Sequence, residues 1–149
     1  MKKMNHKGFT LVELLVVIAI IGLLSTLAVV ALGSARQKAR DARRMSDLKQ
    51  MQTALELYYT DRNAYPIAAT AQTLGALTYA CLDNSGFAAA GCNTNPVYMG
   101  IVPTDPGQGS YSFTGDGTTY TIAATLEGTV NGMTGNITAT PSGLVDVAN

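Results

Sequence analysis

The chain has 149 residues, of which 47% are hydrophobic and 13% charged, with a single histidine and a formal net charge of zero. That apolar share excludes intrinsic disorder. The lone His6, close to the N-terminus, leaves nothing downstream from which to build a Ser-His-Asp triad or a histidine-ligated metal centre.

In chain order, residues 1–8 are a basic leader carrying Lys2, Lys3 and Lys7 and no acid. Residues 9–33 follow as an almost uninterrupted run of Leu, Val, Ile and Ala. From Phe9 to Leu32 there are 24 residues, which as a helix span about 36 Å, enough to cross a hydrocarbon core of about 30 Å. A cleavable secretory signal would have a shorter apolar region followed by a small-residue cleavage site. One acid, Glu13, interrupts the run, and an ionisable residue inside a membrane span is costly and usually marks a function.

Residues 34–61 continue without a turn into an amphipathic helix. Ala35, Ala39, Ala42, Met45, Leu48, Met51, Leu55 and Tyr59 recur every three to four positions as one apolar stripe. One helix from about Thr10 to Thr60 is therefore expected, stopping near Asp61–Pro66, where DRNAYP supplies turn formers and a proline. Charge is segregated along the chain. Residues 36–49 hold Arg36, Lys38, Arg40, Arg43, Arg44 and Lys49 against Asp41 and Asp47, a balance of +4. From residue 50 onward Arg62 faces Glu56, Asp61, Asp83, Asp105, Asp116, Glu127 and Asp146, a balance of −6.

Residues 62–149 form a small polar head. Ile67–Gly100 reads as a long connection with a short helix near Ala71–Tyr79. Within it Cys81 and Cys92 bracket CLDNSGFAAAGC. Outside the cytoplasm they would form a disulfide, worth roughly 3 kcal/mol for a loop of this size, whereas in the cytosol they would stay thiols. Ser110–Phe113, a turn at Thr114–Gly117 and a strand from Thr118 make a hairpin, and in TTYTIAATLE the residues Tyr120, Ile122, Ala124 and Leu126 alternate with polar or small ones. A third strand is expected around Gly135–Thr140. Asp116, between two glycines, suits a hairpin turn or a calcium ligand, and Asn136-Ile137-Thr138 fits a glycosylation triplet. Tyr58, Tyr59 and Tyr65 are assigned to the core where helix meets sheet. The fold class is α+β: a long N-terminal helix packed on a small antiparallel β-sheet.

The run KGFTLVELLVVIAIIGLLS with its basic leader resembles the prepilin signal shared by type IV pilins and type II secretion pseudopilins. The resemblance implies cleavage by prepilin peptidase between Gly8 and Phe9, N-methylation of Phe9, and a pilin-like fold. It implies a non-enzymatic filament subunit without cofactor or metal, held in the inner membrane with its head outside the cytoplasm, and carried to the cell surface or periplasm on assembly. Its partners would be copies of itself or related pilins, the peptidase, the membrane and the assembly machinery. The first reading is a type IV pilus or pilus-like filament; the alternative is a type II secretion pseudopilin, and a membrane-anchored binding protein is a third. VPTDP followed by paired tyrosine-containing strands leans to the pseudopilin side. Many pilins carry a proline in the second half of the apolar helix, where Val30 stands here, while Gly22 offers a place for partial unwinding.

Three expectations about assembly follow. Glu13, the fifth residue after cleavage, would pair with the new α-amine of Phe9 on a neighbouring subunit and so set the axial register; the alternatives are a pair within its own helix and a carboxylate resting at the cytoplasmic interface near the helix N-terminus, where the dipole favours it. Arg36, Arg40 and Arg43, at helical spacings of four and three, would find acids on adjacent subunits. Nucleic acid is not expected as a partner of the acidic head, because phosphate contacts need clustered cations. The basic residues, six after the span against three before it, would by themselves place the head in the cytoplasm. The cysteine pair, the Thr-rich head and the resemblance outweigh that count.

Overall fold

The structure, a computed structural model, describes residues 8–147 and divides into two compact units, Met1–Arg36 and Gln37–Asn149. One helix, α1 (Leu11–Arg62), contributes to both, and its ends lie close to those expected. In the first unit every described residue, Gly8 through Arg36, is exposed. A helix that is apolar all round cannot be satisfied by water or by a single packed face. It is long and apolar enough to cross a membrane, and the helix is unbroken at Gly22.

In the second unit α1 has a buried face. Leu48, Met51, Ala54, Leu55 and Tyr58 enter the core, each side chain of leucine size contributing about 1.5–3 kcal/mol by leaving water. The expected stripe is displaced at both ends: Ala35, Ala39 and Ala42 are exposed, and Tyr58 turns inward in place of Tyr59. Below Leu48 the inward positions are polar, with Asp41, Arg44 and Asp47 buried, so a search for apolar residues alone follows the wrong face there. The helix stops at Arg62, where Asn63 takes a left-handed conformation (φ 52°) and donates its N–H to the Tyr59 carbonyl at 2.7 Å.

The sheet facing the helix has five antiparallel strands. They are β1 (Ile67–Thr73), β5 (Ser112–Asp116), β6 (Tyr120–Val130), β7 (Met133–Thr140) and β8 (Gly143–Asp146), in the order β1-β5-β6-β7-β8. The alternation read in β6 is present: Tyr120, Ile122, Ala124 and Leu126 are buried beside Phe113 of β5 and Ile137 of β7. β1 replaces the first part of the helix expected near Ala71–Tyr79, because Ile67–Thr73 pairs along the edge of β5 from Ile67 opposite Asp116 to Thr73 opposite Ser112. β6 is longer than expected, and Asn131-Gly132, both at positive φ (51° and 81°), turns it directly into β7. A second, three-stranded sheet, β2 (Cys81–Asp83), β3 (Gly86–Ala88) and β4 (Val97–Met99) in the order β3-β2-β4, fills the region read as a connection.

Candidate functional site

At the start of α1, Glu13 closes a capping box with Thr10. Its Oε2 accepts from the Thr10 backbone N–H at 2.9 Å and from the Thr10 hydroxyl at 2.7 Å, while the Glu13 N–H donates to Thr10 Oγ1 at 3.3 Å. The carboxylate thus satisfies donors that a helix N-terminus otherwise leaves open. Gly8 and Phe9 precede this cap as exposed, non-helical residues, and a Cβ placed on Gly8 would have nothing within 4 Å. The bond expected to be cut is therefore accessible on a segment without regular structure. Residues 1–7, with His6 and the leader lysines, lie outside the described residues.

The lower part of the second unit is held by buried charges. Arg44 lies at the centre, 2 % exposed. It forks onto Asp105, with Nε to Oδ2 at 2.7 Å and Nη2 to Oδ1 at 2.9 Å, and its Nη1 reaches Asp41 at 2.7 Å and Glu127 at 2.8 Å. Arg40 clamps the same Glu127 from the other side through Nε and Nη2. Pairing of β6 with β7 shifts register between Thr125 and Thr129. There the Glu127 and Gly128 N–H groups donate to Asp41 at 3.0 and 2.8 Å. The helix, the loop Val102–Gly109 and strand β6 are thus joined at one guanidinium. The geometry needs glycine at 107, where a Cβ would sit 2.7 Å from Arg44 Nη2.

Electrostatics follow from these contacts. Hydrogen bonds from Arg40 and then Arg44 hold the Glu127 carboxyl at about 2. The Arg44 bonds likewise lower Asp105 against the opposing effect of burial. Burial, reinforced by a bond to Asp47, raises the Tyr111 hydroxyl, which donates to that carboxylate at 2.9 Å. Near the opposite end of the helix, burial works against ionisation of Asp83, yet bonds from Ser85 and Thr94 outweigh it and hold the carboxyl at about 2.

The structure treats the three arginines singled out in the sequence differently. Arg36 is exposed, and among the described residues it makes no ion pair. Arg40 pairs within its own chain, with Glu127, which lies where the pairing of β6 with β7 shifts register. Arg43 stays largely exposed, 3.9 Å from Asp47 one turn on. Cys81 and Cys92 form a disulfide that closes the loop around β3. Asp116 ends β5 and holds the turn that follows it: its Oδ1 accepts from the Thr118 N–H and hydroxyl and from the Thr119 N–H, each at 2.8 Å. Sequence reasoning missed the cluster around Arg44. Asp41 three residues before it is a local signal, but Asp105 and Glu127 come from far along the chain and carry none.

Two family descriptions match the chain. Residues 3–33 match the prokaryotic N-terminal methylation motif, and residues 31–138 match type II secretion system (T2SS), protein G. Among curated relatives, type II secretion system core protein G of Aeromonas hydrophila is 42% identical over 77 residues, 52% of this chain and 52% of the relative. That of Pectobacterium carotovorum subsp. carotovorum is 42% identical over 73 residues, 49% of this chain and 46% of the relative. The chain spans about half the length of these relatives. It spans 80% of core protein G of Pseudomonas aeruginosa, with 32% identity over 118 residues, 79% of this chain. No solved structure matches. A methylation motif leading into a match that covers the second half of the helix and most of the sheet leaves one conclusion: the chain belongs to the type II secretion system protein G family.

Proposed function

We propose that the chain is a pseudopilin, a structural subunit that sits in the inner membrane through residues 9–33, is cut after Gly8, methylated on Phe9, and polymerised through α1 into the filament of a type II secretion system. The names of its relatives favour the secretion filament over the surface pilus that the sequence alone puts first. Residues 1–8 would be the leader, 34–61 the amphipathic continuation of the helix, and 62–149 a head outside the cytoplasm.

The observation that carries this reading is the uniform exposure of an apolar helical segment that contains one acid. A segment from Leu11 to Gly33 with no buried face can leave lipid at low cost only for another apolar surface, and packed copies of itself supply one. Glu13 then does two things in turn. In the uncut chain Thr10 shelters its carboxylate. After cleavage a protonated amine on Phe9, with an unperturbed pKa of about 7.7–8.0, becomes available to the Glu13 of a subunit already in place. Only an axial offset that aligns the two is rewarded, because an unpaired buried carboxylate is strongly unfavourable. The test is Glu13→Ala in the full chain. Insertion and leader removal should stay near normal by intact mass, while filaments and secretion should be lost. Normal filaments built from Glu13→Ala subunits would end the register role.

A further inference from the structure

The outward face of α1 in the second unit sorts its charges by height. Asp41, Arg44, Leu48, Met51, Leu55 and Tyr58 mark the inward side. At 3.6 residues per turn, exposed Lys49 and Glu56 then fall on one flank of the outward face and exposed Arg43 and Asp61 on the other, with Leu57 between them. On each flank the cation is nearer the N-terminus and the acid nearer the C-terminus. Among the described residues Lys49, Glu56 and Asp61 make no ion pair. The two acids are nonetheless held in place: Glu56 accepts from the Tyr65 hydroxyl and Asp61 from the Tyr98 hydroxyl, each at 2.9 Å. They are oriented carboxylates lacking a cation, on the same face as cations whose acids are elsewhere or weakly placed.

We propose that this face is an interface between two copies of the chain, packed parallel and offset along the helix, with Glu56 of one copy on Arg43 of the next and Asp61 on Lys49. This rests on the self-assembly reading above, from which the parallel orientation follows, since every copy enters the membrane in the same sense. When two such faces meet, each flank lies opposite the other flank of its neighbour, so Glu56 meets Arg43 and Asp61 meets Lys49. The two pairings ask for offsets of 13 and 12 residues, about 20 and 18 Å at 1.5 Å per residue. One stagger therefore satisfies both. With no stagger the nearest facing charges are alike, Arg43 and Lys49 about 9 Å apart along the axis and Glu56 and Asp61 about 8 Å, and no opposite charges come level. At the proposed stagger Leu57, 54 % exposed, comes level with the stretch between Ala42 and Ser46 of the neighbour, whose exposed Ala42 and Ser46 are small.

The test uses the full chain in its membrane and reads filament yield after shearing. Glu56→Arg alone and Arg43→Glu alone should each lower the yield about tenfold, as facing like charges do, and the combined variant should restore it. Because Glu56→Arg also removes the partner of Tyr65, the pair Asp61→Lys with Lys49→Asp is measured in parallel. In addition, Leu57→Cys combined with Ser46→Cys should give oxidative dimers between copies, whereas Leu57→Cys alone should not. The proposal is overturned if neither charge swap restores filaments while the unaltered chain assembles, or if Leu57→Cys alone cross-links as well as the pair. If the unaltered chain forms no filament at all and Glu13→Ala changes nothing, the self-assembly reading fails, and this interface fails with it.

Discussion

Two stretches of one helix, Leu11–Gly33 and Gln37–Arg62, have the same backbone and opposite chemistry. In the first, apolar side chains point in every direction and all are exposed. In the second, one side is buried and the apolar residues are confined largely to it. Helical propensity supports both, but only the second obtains stability from its own chain, because tertiary packing of a face contributes more than propensity does. On the pseudopilin reading the first stretch is stabilised by lipid or by other subunits, and the difference separates what the chain folds from what it must find outside itself.

The largest expected effect acts on the first stretch alone. A peptidase that cuts after Gly8 has to seat a residue without side-chain bulk at an exposed, non-helical position. Gly8→Val should leave the leader entirely uncut while the head folds normally. Intact mass of the membrane-bound protein reads this directly, and normal loss of residues 1–8 from the variant would place the cleavage site elsewhere.

The second stretch is broken most sharply at Arg44. Removing its guanidinium leaves Asp41 and Asp105 buried without their cation, and breaking a buried pair in this way costs about 3–5 kcal/mol. Arg44→Met should therefore lower the unfolding midpoint of the head strongly, by denaturant titration of the detergent-solubilised chain, yet leave leader removal intact. An unchanged midpoint would mean that the loop and β6 are held to the helix by packing alone.

The contrast between the stretches also explains what could be read from residues alone. The apolar run and its single acid are local, so the helix and its start near Thr10 are legible in the sequence, while the capping box that Thr10 and Glu13 close is not read there. The buried face was visible from Leu48 to Leu55, where it is apolar, and lost below, where Asp41 and Arg44 hold the inward positions and Ala39 and Ala42 face out. β1 escaped because IAATAQT has no alternation of its own and becomes a strand by pairing with β5. The hairpin at Asn131-Gly132 had a signal, an Asn-Gly pair after a β-pattern, which marks the turn that joins β6 to β7. Arg40 could not be resolved, because its partner Glu127 is aimed by an irregularity in β6 that nothing near either residue announces.

The smallest effect is graded with pH and again confined to the second stretch and the head. Glu127 and Asp83 are held at about 2, the first by Arg40 and Arg44, the second by Ser85 and Thr94 against burial, and Asp105 is lowered by Arg44. In the unfolded chain these groups titrate near 3.9 for Asp and 4.3 for Glu. Because the folded values lie below the unfolded ones, the unfolded state binds more protons in this range. The stability these carboxylates contribute is complete above about pH 4.3 and is lost as pH falls toward 2. The unfolding midpoint of the head should thus be nearly flat from neutral pH to about pH 5 and decline below it. In Glu127→Gln one lowered carboxyl is gone, so the decline should be shallower from a lower starting midpoint. A slope as steep as in the unaltered chain would show that Glu127 titrates alike in both states and that its clasp by the two arginines does not persist in solution.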